Sequence, residues 1–204
     1  MKDATAAWPP LSDEDYLREV EQQVGPRLVG ALADVELLVL DADGVLTPGN
    51  LIYGPDGEAL KEFDSHDGLG LVMARLAGLK RAVLTGRDSA IVQRRCRELK
   101  FDVIKLARFD KAAALREILA ETGCAAARTL YMGDDLIDLP AMLAAGIAVG
   151  VPALPEELRQ YCAFITHAEG GHGAVREVVD LVLKAGRRYG RTLDDLIRKE
   201  ARPS

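Results

Sequence analysis

The chain has 204 residues, 49% apolar and 28% charged, a balance that suits one globular domain with a substantial core and excludes a disordered or fibrous chain. Its formal net charge of -6 argues against a nucleic-acid partner, which selects basic surface, and leaves an anionic substrate in need of a local cation. No apolar run approaches the ~18 residues of a membrane span, and the N-terminus lacks the apolar stretch of a secretory signal, so no membrane partner is expected. Cys96, Cys124 and Cys162 are odd in number and lack CxxC spacing, which reads as structural thiols in a reducing cytoplasm.

In chain order, Ser12 to about Leu32 is predicted as one helix, capped by Ser12 and carrying an apolar stripe of Tyr16, Leu17, Val20 and Val24. From Val35 short apolar runs alternate with helical patterns. The runs at Val35–Leu40, Arg81–Leu84, Val103–Leu106, Thr129–Met132, Ile147–Val151 and Phe164–Thr166 have the near-continuous apolarity of buried parallel strands. Leu69, Val72, Met73 and Leu76 mark a helix over Gly68–Ala77, and Asp110 is placed to cap another over Lys111–Glu121. The turn signals Pro48-Gly49-Asn50 and Gly54-Pro55-Asp56-Gly57 predict a projecting β-hairpin flanked by Leu51–Tyr53 and Leu60–Phe63. Helices are also expected at Ala174–Lys184 and Thr192–Glu200. The pattern is an α/β sheet with helices on both faces, divided into an N-terminal helical extension (1–34), a main domain (35–186) and a tail (187–204).

Four strands run into polar clusters. Asp41 and Asp43 follow the first strand; residues two apart share a direction, so both carboxylates emerge at the strand's carboxyl end, where open α/β sheets bind ligands. A divalent cation would relieve their repulsion, and hard oxygen ligands favour Mg2+; the alternative is a turn with capping aspartates. Thr85-Gly86-Arg87 offers a hydroxyl and an accessible N–H to a phosphate, though the tripeptide alone equally suits a structural turn. Lys111 opens a helix, where a cation opposes the macrodipole unless an anion is near; alone it also fits a solvated surface lysine. Gly133-Asp134-Asp135-Leu136-Ile137-Asp138 concentrates three acidic residues at another strand end. The four clusters together, in this order, are far more specific than any one of them.

With these motifs the sequence resembles the haloacid dehalogenase superfamily. It is most similar to the branch of 3-deoxy-D-manno-octulosonate 8-phosphate (KDO 8-phosphate) phosphatases, through Asp41-Ala42-Asp43-Gly44-Val45-Leu46-Thr47, Glu58 to Phe63, Asp67-Gly68-Leu69-Gly70, Asp134 through Met142 and Gly170-Gly171-His172-Gly173-Ala174-Val175-Arg176-Glu177. The resemblance implies a Rossmann-like three-layer sandwich with a mostly parallel central sheet. It implies Asp41 as nucleophile forming an aspartyl-phosphate, Asp43 as general acid and base, and Lys111 neutralising charge on the transferring group. Mg2+ would be held by the Asp41 carboxylate, the Asp43 carbonyl and Asp134; Thr85, Gly86 and Arg87 would meet the phosphate, with Asp135 and Asp138 in support, Asp138 orienting Lys111. Three positions depart from the pattern: Pro48 replaces an aspartate, while His66 and His172 replace basic residues that would meet the substrate, the alternatives being that His66 caps its helix and His172 fills a glycine-rich turn.

The spans from Asp41 to Thr85 and from Arg87 to Lys111 are too short for a folded cap, so the site is expected to be capless. Relatives close such sites by forming homotetramers, so Leu51–Phe63 is expected to pack on another subunit and His172 to reach a neighbouring site. The expected reaction is hydrolysis of a phosphorylated sugar acid in the cytoplasm. A nonulosonate 9-phosphate phosphatase, a signalling receiver domain and a non-catalytic subunit are the alternatives; intact Asp41, Asp43, Lys111 and Asp134 weigh against the last.

Overall fold

The structure, a computed structural model, describes residues 8, 9 and 11–200; positions 1–7, 10 and 201–204 of the extension and tail lie outside the described residues. Six parallel strands form one sheet in the order β5-β4-β1-β6-β7-β8: β1 (Leu37–Leu40), β4 (Lys80–Leu84), β5 (Val103–Lys105), β6 (Thr129–Gly133), β7 (Ile147–Gly150) and β8 (Phe164–Ile165). The remaining two, β2 (Ile52–Gly54) and β3 (Gly57–Leu60), make the antiparallel hairpin. The chain reverses through Pro55-Asp56, and the second strand begins at Gly57, earlier than the apolar run at Leu60 suggested.

Alternation along β1 shows why the strand is apolar throughout. Leu38 and Leu40 face one core with α3 (Ser65–Leu76) and α8 (Ala174–Ala185); Leu37 and Val39 face another with α5 (Lys111–Thr122) and α6 (Leu139–Ala144). A sheet covered on both faces has no solvent side, so no polar alternation is needed.

The helix predicted over Ser12–Leu32 is two: α1 (Asp13–Val24) and α2 (Pro26–Ala33). Gly25 takes φ 78°, outside helical space, and Pro26 has no N–H to continue the ladder but suits the first turn of a new helix. Tyr16, Val20 and Leu32 from these helices are buried in the same core as α8. Tyr16 meets Tyr189 of α9 (Tyr189–Glu200) edge-on with ring centroids 5.0 Å apart, and Lys184 lies over both rings. The C-terminal helix starts before Thr192 because residues from Tyr189 onward extend its packing surface.

The Asp67 motif and the Gly170–Glu177 motif meet in space. Asp67, in the first turn of α3, is 2% exposed, and its carboxylate accepts from the N–H groups of Arg176 (2.7 Å) and Gly173 (3.3 Å) at the start of α8. One helix thereby caps another across the fold.

Candidate active site

The carboxyl ends of β1, β4 and β6 surround a cleft of about 270 Å3 lined by Asp41, Asp43, Thr85, Gly86, Lys111 and Asp134, with Leu51, Phe109 and Ile137 on its rim. That is slightly less than the ~300–1,000 Å3 of pockets that enclose a small ligand, so it suits the phosphoryl end of a substrate whose remainder lies outside.

Lys111 is the centre of the site. It is 1% exposed, and its ammonium pairs with Asp41 Oδ1 at 2.8 Å and with Asp138 Oδ1. Burial alone would lower its pKa, but the two carboxylates raise it above the ordinary lysine value, so it stays charged. Asp138 is the hub. Its Oδ1 also accepts from the Tyr131 hydroxyl at 2.6 Å, and its Oδ2 accepts from the N–H groups of Asp134 (3.0 Å) and Asp135 (3.2 Å). Four donors occupy the four acceptor directions of one carboxylate. Gly133 makes this closure feasible: a Cβ there would sit 2.5 Å from that of Asp138.

One oxygen from each of Asp41, Asp134 and Asp138 lies within 4.8 Å of the others. Three carboxylates against one ammonium leave an excess of negative charge. Burial and then repulsion from Asp138 push Asp41 up to about 7 despite Lys111; burial and then Asp41 and Asp138 push Asp134 up to about 8. A hard divalent cation fits this donor set and would return both groups to their ionised forms. Asp138, fully hydrogen-bonded, is better used in holding Lys111 than as a ligand. Gly44 lets the loop after β1 approach the cluster: its φ is +93°, and a Cβ there would fall 1.9 Å from Asp134 Oδ2.

The sequence-predicted residues fare differently. Asp41, Asp43, Thr85, Gly86, Arg87, Lys111, Asp134 and Asp135 line the cleft, with Asp138 beneath it. The Asp43 carboxylate does not join the cluster of three; it pairs with Lys61 and faces Arg87. Thr85 is buried and its hydroxyl accepts from Arg87 N at 3.3 Å, while the Arg87 guanidinium reaches Tyr53 OH of the hairpin at 2.5 Å. The helix after this tripeptide, α4 (Ala90–Glu98), starts only after Ser89, which caps it. Asp135 is exposed and caps the short turn at Leu136. His66 and His172 are exposed and line no part of the cleft within one chain: His66 lies in the first turn of α3, its N–H held by Asp64, and His172 sits in the glycine loop before α8.

Tyr131 and Lys61 were missed. A tyrosine in a buried strand beside Gly-Asp-Asp needs a partner for its hydroxyl, which was a usable signal. Lys61, in a polar hairpin stretch, offered none.

A family model described as haloacid dehalogenase-like hydrolase matches residues 79–178. The chain is 38% identical to the 3-deoxy-D-manno-octulosonate 8-phosphate phosphatase KdsC of Haemophilus influenzae over 76% of this chain and 86% of that one. The chain belongs to the KdsC branch of the haloacid dehalogenase-like hydrolases. KdsC of Escherichia coli K12 is 36% identical over 79% of this chain and 86% of its own. Among solved structures, a KdsC-type phosphatase of Moraxella catarrhalis in complex with magnesium, phosphate and KDO superposes with TM-score 0.78 at 37% identity, covering 85% of this chain and 98% of that one. The cobalt-bound enzyme of H. influenzae gives TM-score 0.76 at 37% identity, covering 78% and 93%. The six-stranded parallel sheet and its projecting hairpin are thus a KdsC-type scaffold, as the motif order implied.

Proposed function

We propose that this KdsC-type protein is a Mg2+-dependent phosphatase that hydrolyses a sugar-acid phosphate monoester, KDO 8-phosphate foremost, to the free sugar acid and phosphate. The observation that carries the reading is the buried Lys111 clamped between Asp41 and Asp138 with Asp134 alongside, in a chain similar to KdsC phosphatases over most of its length.

Asp41 attacks phosphorus and becomes the aspartyl-phosphate. Asp43 gives a proton to the leaving alkoxide oxygen, then takes one from the water that cleaves the intermediate. Lys111, kept charged by its two carboxylates, neutralises the charge that builds on the transferring phosphoryl group, whose oxygens meet Thr85 and the Gly86 N–H. Asp41, Asp134 and the Asp43 carbonyl would hold Mg2+, which when bound supplies neutralisation of nucleophile and phosphate together.

The cleft admits the phosphoryl end and leaves the sugar acid over the rim. Leu51, Ile52, Tyr53 and Leu60 of the hairpin are all exposed, Leu60 by 63%, which supports a homotetramer in which hairpins pack on neighbouring subunits. In that assembly His66 and His172 meet substrate from across an interface. The free thiols of Cys96, Cys124 and Cys162 support placing the reaction in a reducing cytoplasm.

The test is phosphate release from a panel of sugar-acid phosphates with and without Mg2+, beside Asp41→Asn. Preferred turnover of KDO 8-phosphate, lost without metal and in the variant, is expected. Preferred turnover of a nonulosonate 9-phosphate would move the substrate and keep the chemistry; no turnover of any ester would sink the reading.

A further inference from the structure

The hairpin is small and largely exposed, yet it buries a lysine. The side chain of Lys61, one residue past β3, is 0% exposed. Its ammonium pairs with Asp43 Oδ1 and lies 3.0 Å from Glu58 Oε1. Glu58 in turn accepts from the Ser89 hydroxyl at the start of α4, and Tyr53 accepts from Arg87. Two cations and two carboxylates therefore form a charge-balanced cluster that joins β2, β3 and the start of α4 to the loop carrying Asp43. A ribbon of three- and four-residue strands is marginal on its own in water, and burying an unpaired ammonium costs several kcal/mol. Asp43 and Glu58 are what make the placement stable.

The cluster is asymmetric at Asp43. Oδ1 is taken by Lys61, with Thr47 Oγ1 at 3.5 Å. Among the described residues Oδ2 has no hydrogen-bond partner; Arg87 Nε lies 3.7 Å away and is likewise unpartnered. We propose that Lys61 is a positioning residue for the acid–base step: by occupying Oδ1 it fixes the Asp43 carboxylate and assigns the proton exchange to Oδ2. The hairpin then serves the chemistry of its own subunit, whatever it does between subunits. The inference rests on the phosphatase reading with Asp43 as acid and base.

A good leaving group separates this role from general support. An alkyl phosphate needs a proton delivered to its leaving oxygen. A nitrophenyl phosphate expels nitrophenolate without one, so only the later attack of water on the aspartyl-phosphate still needs Asp43. In Lys61→Met, kcat on a sugar-acid phosphate is expected to fall roughly 10- to 100-fold with KM within about threefold, a share of the ~10²–10⁴-fold that acid–base catalysis supplies. With nitrophenyl phosphate the same variant should show a burst of about one nitrophenolate per site, then slow turnover. Lys61→Arg should recover part of kcat. Thermal melts check folding, and Lys61→Gln, which keeps a polar group in the buried position, replaces Lys61→Met if the latter does not fold. Unchanged kcat, a loss confined to KM, or equal losses on both esters without a burst would overturn the placement while an active wild type keeps the phosphatase reading. A wild type inactive on every ester would take both down.

Discussion

The carboxylate cluster at the ends of β1 and β6 and the hairpin that overhangs it are held in different ways. The cluster lies in the sheet's interior edge, where Asp138 is 0% exposed and every acceptor direction on it is used. The hairpin hangs from the fold by side-chain contacts through Lys61, Glu58 and Tyr53, and turns Ile52 and Leu60 to solvent. One chain thus completes the groups proposed to handle phosphorus, while the surface proposed to choose and enclose the rest of the substrate is left open. That contrast separates reaction from specificity within a single polypeptide.

The contrast breaks first at Asp138. Asp138→Ala leaves the Lys111 ammonium, the Tyr131 hydroxyl and two N–H groups short of an acceptor. Denaturant melts should register a loss of about 3–5 kcal/mol, the range for removing one partner of a buried charged pair. Turnover should fall by about two orders of magnitude or more through the loss of Lys111 geometry. A variant that melts and turns over like wild type would show that the cluster does not depend on its hub.

Metal sharpens the comparison next. Asp41 and Asp134 are raised to about 7 and about 8, so the metal-free fold favours their protonated forms. Stability from these groups is complete below the ordinary carboxylate range and is lost as pH rises through about 7 to 8. The metal-free melting temperature should therefore fall over that window, while the gain on adding Mg2+ grows with pH. At a hundredfold excess over Kd, binding contributes about 2.7 kcal/mol, or about 5–10 °C for a chain of this size. A Mg2+ gain that shrinks with rising pH would contradict the assignment. The smallest effect on the monomer is expected at the hairpin. Leu60→Glu should leave subunit stability within about 0.5 kcal/mol, as exposed substitutions do, yet lower the mass seen by sedimentation. Unchanged mass would remove the hairpin from the proposed subunit interface.

Legibility in the sequence followed the range of the interaction. The apolar runs of β1, β4 and β6 and the polar residues directly behind them could be read because strand and site are consecutive. Lys111 could be placed at a helix start, but its burial depends on Asp41 and Asp138, brought in by two other strands. The burial of Lys61 and the cap of Asp67 on α8 were invisible for the same reason: Asp43 lies 18 residues from Lys61 and Arg176 lies 109 from Asp67, and nothing local marks a lysine or aspartate as buried. At Gly25-Pro26 the local signal was present, but the apolar stripe on both sides read through it and hid the break between α1 and α2.

The strand order carries a consequence for synthesis. β1 occupies the middle of the sheet, yet its two neighbours, β4 and β6, come roughly 40 and 90 residues later. At roughly 5–20 residues per second, Asp41 leaves the ribosome several seconds or more before Asp134 and Asp138 exist to complete its surroundings. Until β6 emerges, Asp41, the proposed nucleophile, has neither Asp134 nor Asp138 beside it, and its strand can pair with β4 alone. A nascent chain therefore acquires its chemistry late and in one step, when β6 docks beside β1.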